Sequence, residues 1–332
     1  MNVVTKTPAK EPMPQSEPKR FCAKTRILAH MRIARLDHSI KQVFIIPGIV
    51  VAFSFSQSPL NSEFYLRMIL GMISATMIAC SNYVINEMLD APFDRQHPTK
   101  YMRPAACGQV HFGLGYVQWI GMMVIGLAIG RIVSLPFMLA GGLLWIMGCI
   151  YNISPVRSKD LPYIDVLSES INNPIRFALG WYMVTTTVMP PVSLLASYWM
   201  LGAYFMALKR FSEYRQIGNA ELAASYRRSF AYYTETRLLD SVLFYSSAAM
   251  LFFGAFIMRY RLELILSFPL IAWLMAVYFS LSFQCESAVQ NPEKLYKEPR
   301  LMVPFTICAI ALALLLYVDI PAIAEFFPRS VR

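Results

Sequence analysis

Nine stretches of this chain run for roughly 20 residues each with few charges, the length of helix needed to cross a bilayer core. They fall at about 42–58, 64–87, 111–130, 134–153, 163–186, 191–208, 239–258, 263–283 and 301–318. Backbone inside a bilayer must satisfy its own hydrogen bonds, so such stretches fold as helices. Composition agrees. Of 332 residues, 56% are hydrophobic and only 15% charged, where a soluble domain carries about 25% charged residues. The expected fold is an all-α integral membrane protein with about nine transmembrane helices. Residues 1–28, rich in Pro, Lys and Glu, read as a disordered tail and not as a signal peptide, because the first 20 contain no apolar core. Residues 29–320 form the transmembrane domain and 321–332 a short C-terminal tail.

An odd number of spans puts the two ends on opposite sides. With the N-terminus inside, 23 of the 30 Lys and Arg fall on inside segments and five outside, with Arg67 and Arg176 in spans. By the positive-inside rule the N-terminus is cytoplasmic, and in a bacterium the membrane is the inner one. The net charge of +10 is therefore mostly a topology signal. Its basic residues are spread over five segments and make no nucleic-acid-binding module. The six cysteines form no Cys-x-x-Cys pair, and there is no Gly-rich nucleotide loop.

The second span ends in Asn86-Glu87-Met88-Leu89-Asp90-Ala91-Pro92-Phe93-Asp94. Steps of four put Asn86, Asp90 and Asp94 on one stripe of a helix. Pro92 predicts a helix end or kink there. Carboxylates at a membrane boundary call for a cation, and Mg²⁺ held by one or two carboxylates plus substrate phosphates fits. Arg95, His97, Lys100 and Arg103 follow at once and supply partners for an anion. The plain alternative is a solvated loop with ordinary topology charges.

That alternative weakens at the fifth span, where Asp165, Glu169, Asn172 and Arg176 fall within about 60° of helical arc. One reading is a structural Glu169–Arg176 ion pair; the other is a second carboxylate pair facing the first. The preceding loop adds Tyr151, Arg157, Lys159 and Asp160, and the loop after the sixth span adds Lys209, Arg210, Glu213 and Arg215. One face thus gathers carboxylates for divalent metal and cations for phosphate, as a diphosphate site requires.

At these residues the chain resembles the UbiA superfamily of intramembrane prenyltransferases. That family has nine helices around a central cavity. Its Asn-Asp-x-x-Asp-x-x-x-Asp motif here reads Asn86-Glu87-x-x-Asp90-x-x-x-Asp94, and its second Asp-x-x-x-Asp motif reads Asp165-x-x-x-Glu169. Within the superfamily, the run Asp94-Arg95-Gln96-His97-Pro98-Thr99-Lys100-Tyr101-Met102-Arg103-Pro104 resembles the polyprenyl-phosphate phosphoribosyltransferases. Lys41 resembles a lysine of their first helix, and Ala207-Leu208-Lys209-Arg210-Phe211-Ser212-Glu213 resembles their Leu-x-Lys-Arg-x-x-Glu loop. The Glu169-to-Pro174 run is unlike that subgroup.

The resemblance implies a Mg²⁺-dependent transferase. Asp90 and Asp94 would hold metal and diphosphate, and Asp165 and Glu169 a second Mg²⁺ or a phosphate or ribose hydroxyl. Lys41, Lys100, Arg103 and Lys209 would bind phosphate, with Asn86, Tyr151, Lys159, Asn172 and Arg176 as further substrate contacts. The substrates implied are a diphosphate donor and a polyprenyl lipid drawn from the membrane. Phosphoribosyl transfer from 5-phosphoribosyl diphosphate to polyprenyl phosphate is the favoured reading, with prenyl transfer to an aromatic or other acceptor as its rival. Transport is disfavoured, because the polar clusters lie at one mouth and not at the midplane. A CDP-alcohol phosphotransferase would need an Asp-Gly…Ala-Arg…Gly…Asp pattern that is absent.

Overall fold

The computed structural model describes residues 23–56, 59–95, 100–284, 287–290 and 292–327. The segment 1–22, the run Gln96-His97-Pro98-Thr99 and residues 328–332 lie outside the described residues, and with them parts of the expected tails and of the motif after Asp94. All regular structure among the described residues is helical. Helix α1 (Ala23–Ile33) begins inside the segment read as tail, and α13 (Pro321–Phe326) lies in the one read as C-terminal tail.

Each expected apolar segment is mainly helical over its described residues. Among the described residues six helices are long and apolar enough to cross a membrane: α3 (Ser62–Asp94), α4 (Phe112–Val133), α5 (Leu135–Asn152), α8 (Val192–Ile217), α10 (Glu235–Tyr260) and the run Leu262–Leu281, whose regular part is α11 (Phe268–Leu281). The others are shorter or broken. A 3-10 segment, Leu36–Ile45, leads into α2 (Ile46–Phe55), and α12 spans Pro299–Leu315. The outward faces carry bare apolar side chains, with Val117 69%, Ile132 70% and Leu251 71% exposed. Side chains of that kind face lipid, not water. The chain is an integral, multi-pass membrane protein.

The fifth segment departs from expectation. It is two helices, α6 (Ile164–Ser170) and α7 (Asn172–Val184), meeting at Ile171. Pro174 has no amide hydrogen to offer the Ser170 carbonyl, and its ring crowds that carbonyl. Asp165 and Glu169 therefore sit on one short helix and Asn172 and Arg176 on the next.

Close packing comes from small residues and from side chains that bond across helices. Ser74 Oγ donates to Gly126 O at 2.6 Å and Asn82 Nδ2 to Leu144 O at 3.0 Å, fastening α4 and α5 to α3. The α2–α7 crossing is tighter. A Cβ on Gly180 would overlap the Ile45 carbonyl, and one on Gly48 the Phe177 carbonyl. Gly180→Val is expected to cost about 3 kcal/mol. Size-exclusion of detergent extracts should show a sharp fall in monodisperse protein; an unchanged yield would contradict this crossing.

Candidate active site

Helix α3 has 33 residues, about 50 Å at ~1.5 Å per residue, against a hydrocarbon core of about 30 Å. It overshoots, and its last turns carry Asn86, Asp90 and Asp94 to one end of the bundle. Pro92 lies in the final turn, and the helix stops at Asp94. Asn86, one turn before Asp90, is half-buried on the same face. Glu87 points elsewhere. It is buried, and its Oε1 accepts from the Ala105 amide at 3.5 Å. Arg95 Nε donates to Ala106 O at 3.1 Å. These two bonds hold the 100–108 loop so that Arg103 turns back onto Asp94, Nη1 to Oδ2 at 2.7 Å.

Asp90 is held from the opposite side. The loop after α5 places Lys159 Nζ 2.6 Å and Arg157 Nη2 3.0 Å from Asp90 Oδ1. Lys159 also donates to Asn152 Oδ1 at 3.0 Å, and Arg157 Nε to Asp160 Oδ2 at 3.0 Å. Arg157 adopts a left-handed backbone with φ 31°, a conformation costly for a residue with a Cβ and found where surroundings over-determine it. Its guanidinium also lies over the Phe93 ring, 4.9 Å from the centroid.

A second cluster gathers on α6, α8 and the chain after α8. Helix α8 ends at Gly218 in the left-handed region, and α9 (Ala220–Tyr226) and a 3-10 turn, Arg228–Ala231, follow. Arg210, on α8, forks among three carboxylates: Asp165 at 3.2 Å, Glu169 at 3.2 Å and Glu213 at 3.1 Å. Asp165 is wholly buried. Its Oδ1 accepts from Tyr233 OH at 2.7 Å, and its Oδ2 from Ser229 Oγ at 3.3 Å, with Arg227 Nε at 3.5 Å. Glu169 also accepts from Tyr151 OH at 2.8 Å. Arg227 joins the clusters, donating through Nη2 to Tyr151 OH at 3.0 Å and to the Lys159 carbonyl at 3.4 Å.

The remaining expected residues divide. Lys100 lies against Tyr226, Nζ to OH 3.5 Å. Lys209 is 3.9 Å from Glu213. Lys41 sits over the Tyr83 ring at 5.9 Å, and its charge and that of Lys209 both act on Glu169. The Glu169–Arg176 ion pair considered above does not form; Arg210 takes that carboxylate. Arg176 lies apart on α7 and is taken up below. Sequence reasoning counted Arg157 and Arg210 only among the cations gathered on this face, and did not single out Arg227, Tyr233 or Ser229. Arg157 and Arg210 stood beside chosen residues; nothing in the spacing of the 209–237 loop marked Arg227.

Among the described residues no three His, Cys, Asp or Glu are grouped to hold a metal ion by themselves. Asp90 and Asp94 carry two carboxylates one turn apart, each paired with cations. Mg²⁺ commonly takes one or two protein carboxylates and fills its octahedron from water and substrate phosphate, so this donor set suits a metal that arrives with a phosphate. Both Asp165 oxygens are already filled by protein donors, and a metal there would have to displace them.

Comparison with known proteins gives the same fold. A solved UbiA homologue from Archaeoglobus fulgidus bound to DMAPP and Mg²⁺ superposes with a TM-score of 0.65 at 20% identity, covering 85% of this chain and 99% of that one. The same homologue bound to GPP and Mg²⁺ matches equally well, with TM-score 0.65, 20% identity and the same coverage. At that identity the likeness is one of fold. Decaprenyl-phosphate phosphoribosyltransferase of Corynebacterium glutamicum is 27% identical over 190 residues, which is 54% of this chain and 53% of that protein. The chain thus spans about half the length of this curated relative. The UbiA prenyltransferase family model matches residues 44–297, which takes in both carboxylate motifs and most of the helical bundle, and the chain belongs to that family.

Proposed function

We propose that this chain is a Mg²⁺-dependent membrane transferase that moves phosphoribosyl from 5-phosphoribosyl diphosphate to a polyprenyl phosphate, at a site facing the cytoplasm. The observation that carries it is the meeting of Asp90 and Asp94 with Arg103, Arg157 and Lys159 at one end of the bundle. The partial likeness to decaprenyl-phosphate phosphoribosyltransferase supports the choice of donor. The Lys and Arg asymmetry supports the orientation.

Internal ion pairs keep the site near neutral before substrate enters, since unpaired charges there would be costly. Asp90 and Asp94 would hold Mg²⁺. When bound, the metal supplies charge neutralisation for the diphosphate. Arg103, Arg157 and Lys159 then pass from carboxylate to phosphate oxygens and hold the leaving group as its bond to carbon breaks. Lys100 and Lys209 extend the cationic wall. Asp165 positions Arg210 and Arg227, and through Arg227 the Tyr151 hydroxyl and the Lys159 loop.

Prenyl transfer is the second reading, favoured by the DMAPP- and GPP-bound fold relatives. It uses the same layout, with the diphosphate leaving an allylic lipid. The deciding experiment supplies membranes with labelled 5-phosphoribosyl diphosphate plus polyprenyl phosphate, or labelled prenyl diphosphate plus aromatic acceptors. Label transfer from the sugar donor is expected. Transfer from the prenyl donor alone overturns the reading.

Burial lowers the Lys159 amine below the ordinary lysine value of 10.5, against the opposing pull of Asp90. Burial, helped by Arg103, does the same to Lys100. Donor affinity should therefore fall as pH rises through a value below 10.5. Stability moves the other way. In the window between the folded and the ordinary value the unfolded chain holds the proton and the folded chain does not, so stability increases with pH. Donor KM and melting temperature measured together from about pH 7 to 10 check this. Lys159→Arg should push the rise in KM to higher pH.

A further inference from the structure

Among the described residues Arg176 is a cation without a counter-ion inside the bundle. It is 7% exposed. Among the described residues no carboxylate pairs with it. Its Nε has no partner, and Nη1 reaches only the Asn172 carbonyl of its own helix at 3.5 Å. Beside it, Asn172 gives its Nδ2 to the Glu169 carbonyl at 3.0 Å, so the one unpartnered donor here is the guanidinium Nε. A buried charge of this kind is costly and persists where a ligand completes it. By contrast, every cation of the mouth cluster that touches Asp90, Asp94, Asp165 or Glu169 is paired.

The surroundings say what kind of anion could reach it. Arg176 is seven positions past Glu169 and beyond the α6–α7 break, about 10 Å of helix. Tyr198 lies within the field of its charge. That ring packs on Phe44 at 6.3 Å and on Phe177 at 5.5 Å, and its hydroxyl is spent on the Phe44 carbonyl at 3.3 Å. Aromatic side chains, with Phe177 next to Arg176 in the chain, thus wall this part of the bundle. A small hydrated anion gains little from such a wall, whereas an anion on an apolar chain gains on both counts.

We infer that Arg176 forms an acid-recognising subsite that takes the phosphomonoester head of an isoprenoid lipid acceptor, separate from the diphosphate site at the mouth. The inference rests on the proposed transferase reading for calling that lipid the acceptor, but its test does not depend on turnover. A guanidinium fork suits the paired oxygens of a phosphomonoester, and an uncharged acceptor would leave the cation as it stands.

The test uses the full-length protein in phosphatidylcholine nanodiscs and measures binding of farnesyl phosphate, farnesol and inorganic phosphate. Wild type should prefer farnesyl phosphate over both others by at least about tenfold. Arg176→Gln should abolish that preference. Arg176→Met serves where Gln does not fold, because an apolar residue of similar reach leaves no polar orphan. Arg176→Met should also raise the melting temperature of the ligand-free protein, since it removes an uncompensated charge. A structural arginine would lower it. Asp90→Asn should retain farnesyl phosphate binding while losing Mg²⁺-dependent pyrophosphate binding, so failure at the mouth and failure at Arg176 are read separately. Equal binding of farnesyl phosphate and farnesol by wild type, or undiminished farnesyl phosphate preference in Arg176→Gln or Arg176→Met, overturns the inference.

Discussion

Asp90→Asn is expected to lower turnover per folded molecule by about 10²- to 10³-fold, the loss typical when one preorganised charge is taken from a reacting centre. Oδ1 of Asp90 takes Lys159 at 2.6 Å and Arg157 at 3.0 Å. A neutral amide keeps the shape but leaves the two cations in excess and gives a metal one charge fewer to bind. Folding should survive. Arg157 retains Asp160 at 3.0 Å and Lys159 retains the Asn152 oxygen at 3.0 Å, so the stability loss is about 1–2 kcal/mol. Turnover should be normalised to the monodisperse fraction and measured across a Mg²⁺ titration. Near-normal turnover in Asp90→Asn would remove this carboxylate from the site.

How much of this was legible beforehand depends on whether the signal was local. The apolar segments were, because bilayer thickness imposes a length that any window can detect. Asp90 and Asp94 were, because period four marks a helical stripe. Their partners were not. Arg210 lies 45 positions from Asp165, and only tertiary packing brings it there. Nearness along the chain instead suggested Arg176 as the partner of Glu169. The break at Ile171 separates those two, and Pro174 was the residue that should have signalled it. Reading 163–186 as one helix followed hydropathy, which does not see a missing amide hydrogen. Glu87 shows the reverse case. It stands where the family motif has its first acid, but its side chain turns away to anchor the loop bearing Arg103.

Arg210→Ala should be the most damaging single change to the fold. The side chain is 3% exposed and holds Asp165, Glu169 and Glu213 together at 3.1–3.2 Å. Its removal leaves Asp165 with Tyr233, Ser229 and the more distant Arg227, Glu169 with Tyr151, and Glu213 with Lys209 at 3.9 Å. Breaking a buried ion cluster by deleting one partner costs about 3–5 kcal/mol, because the remaining charges stay desolvated. The expected result is loss of most monodisperse protein on size-exclusion. Arg210→Lys keeps the charge but not the fork, so it should recover part of the yield. The decisive comparison is a double-mutant cycle. Arg210→Met with Asp165→Asn removes charge from both sides, and the pair should be less destabilised than the sum of the single changes by about 1–3 kcal/mol. Additive losses would mean that Arg210 acts through packing of its stem and not through these carboxylates. A positive coupling would make Arg210 the joint between the α6 carboxylates and α8, the same joint from which Arg227 and the Lys159 loop are held over Asp90.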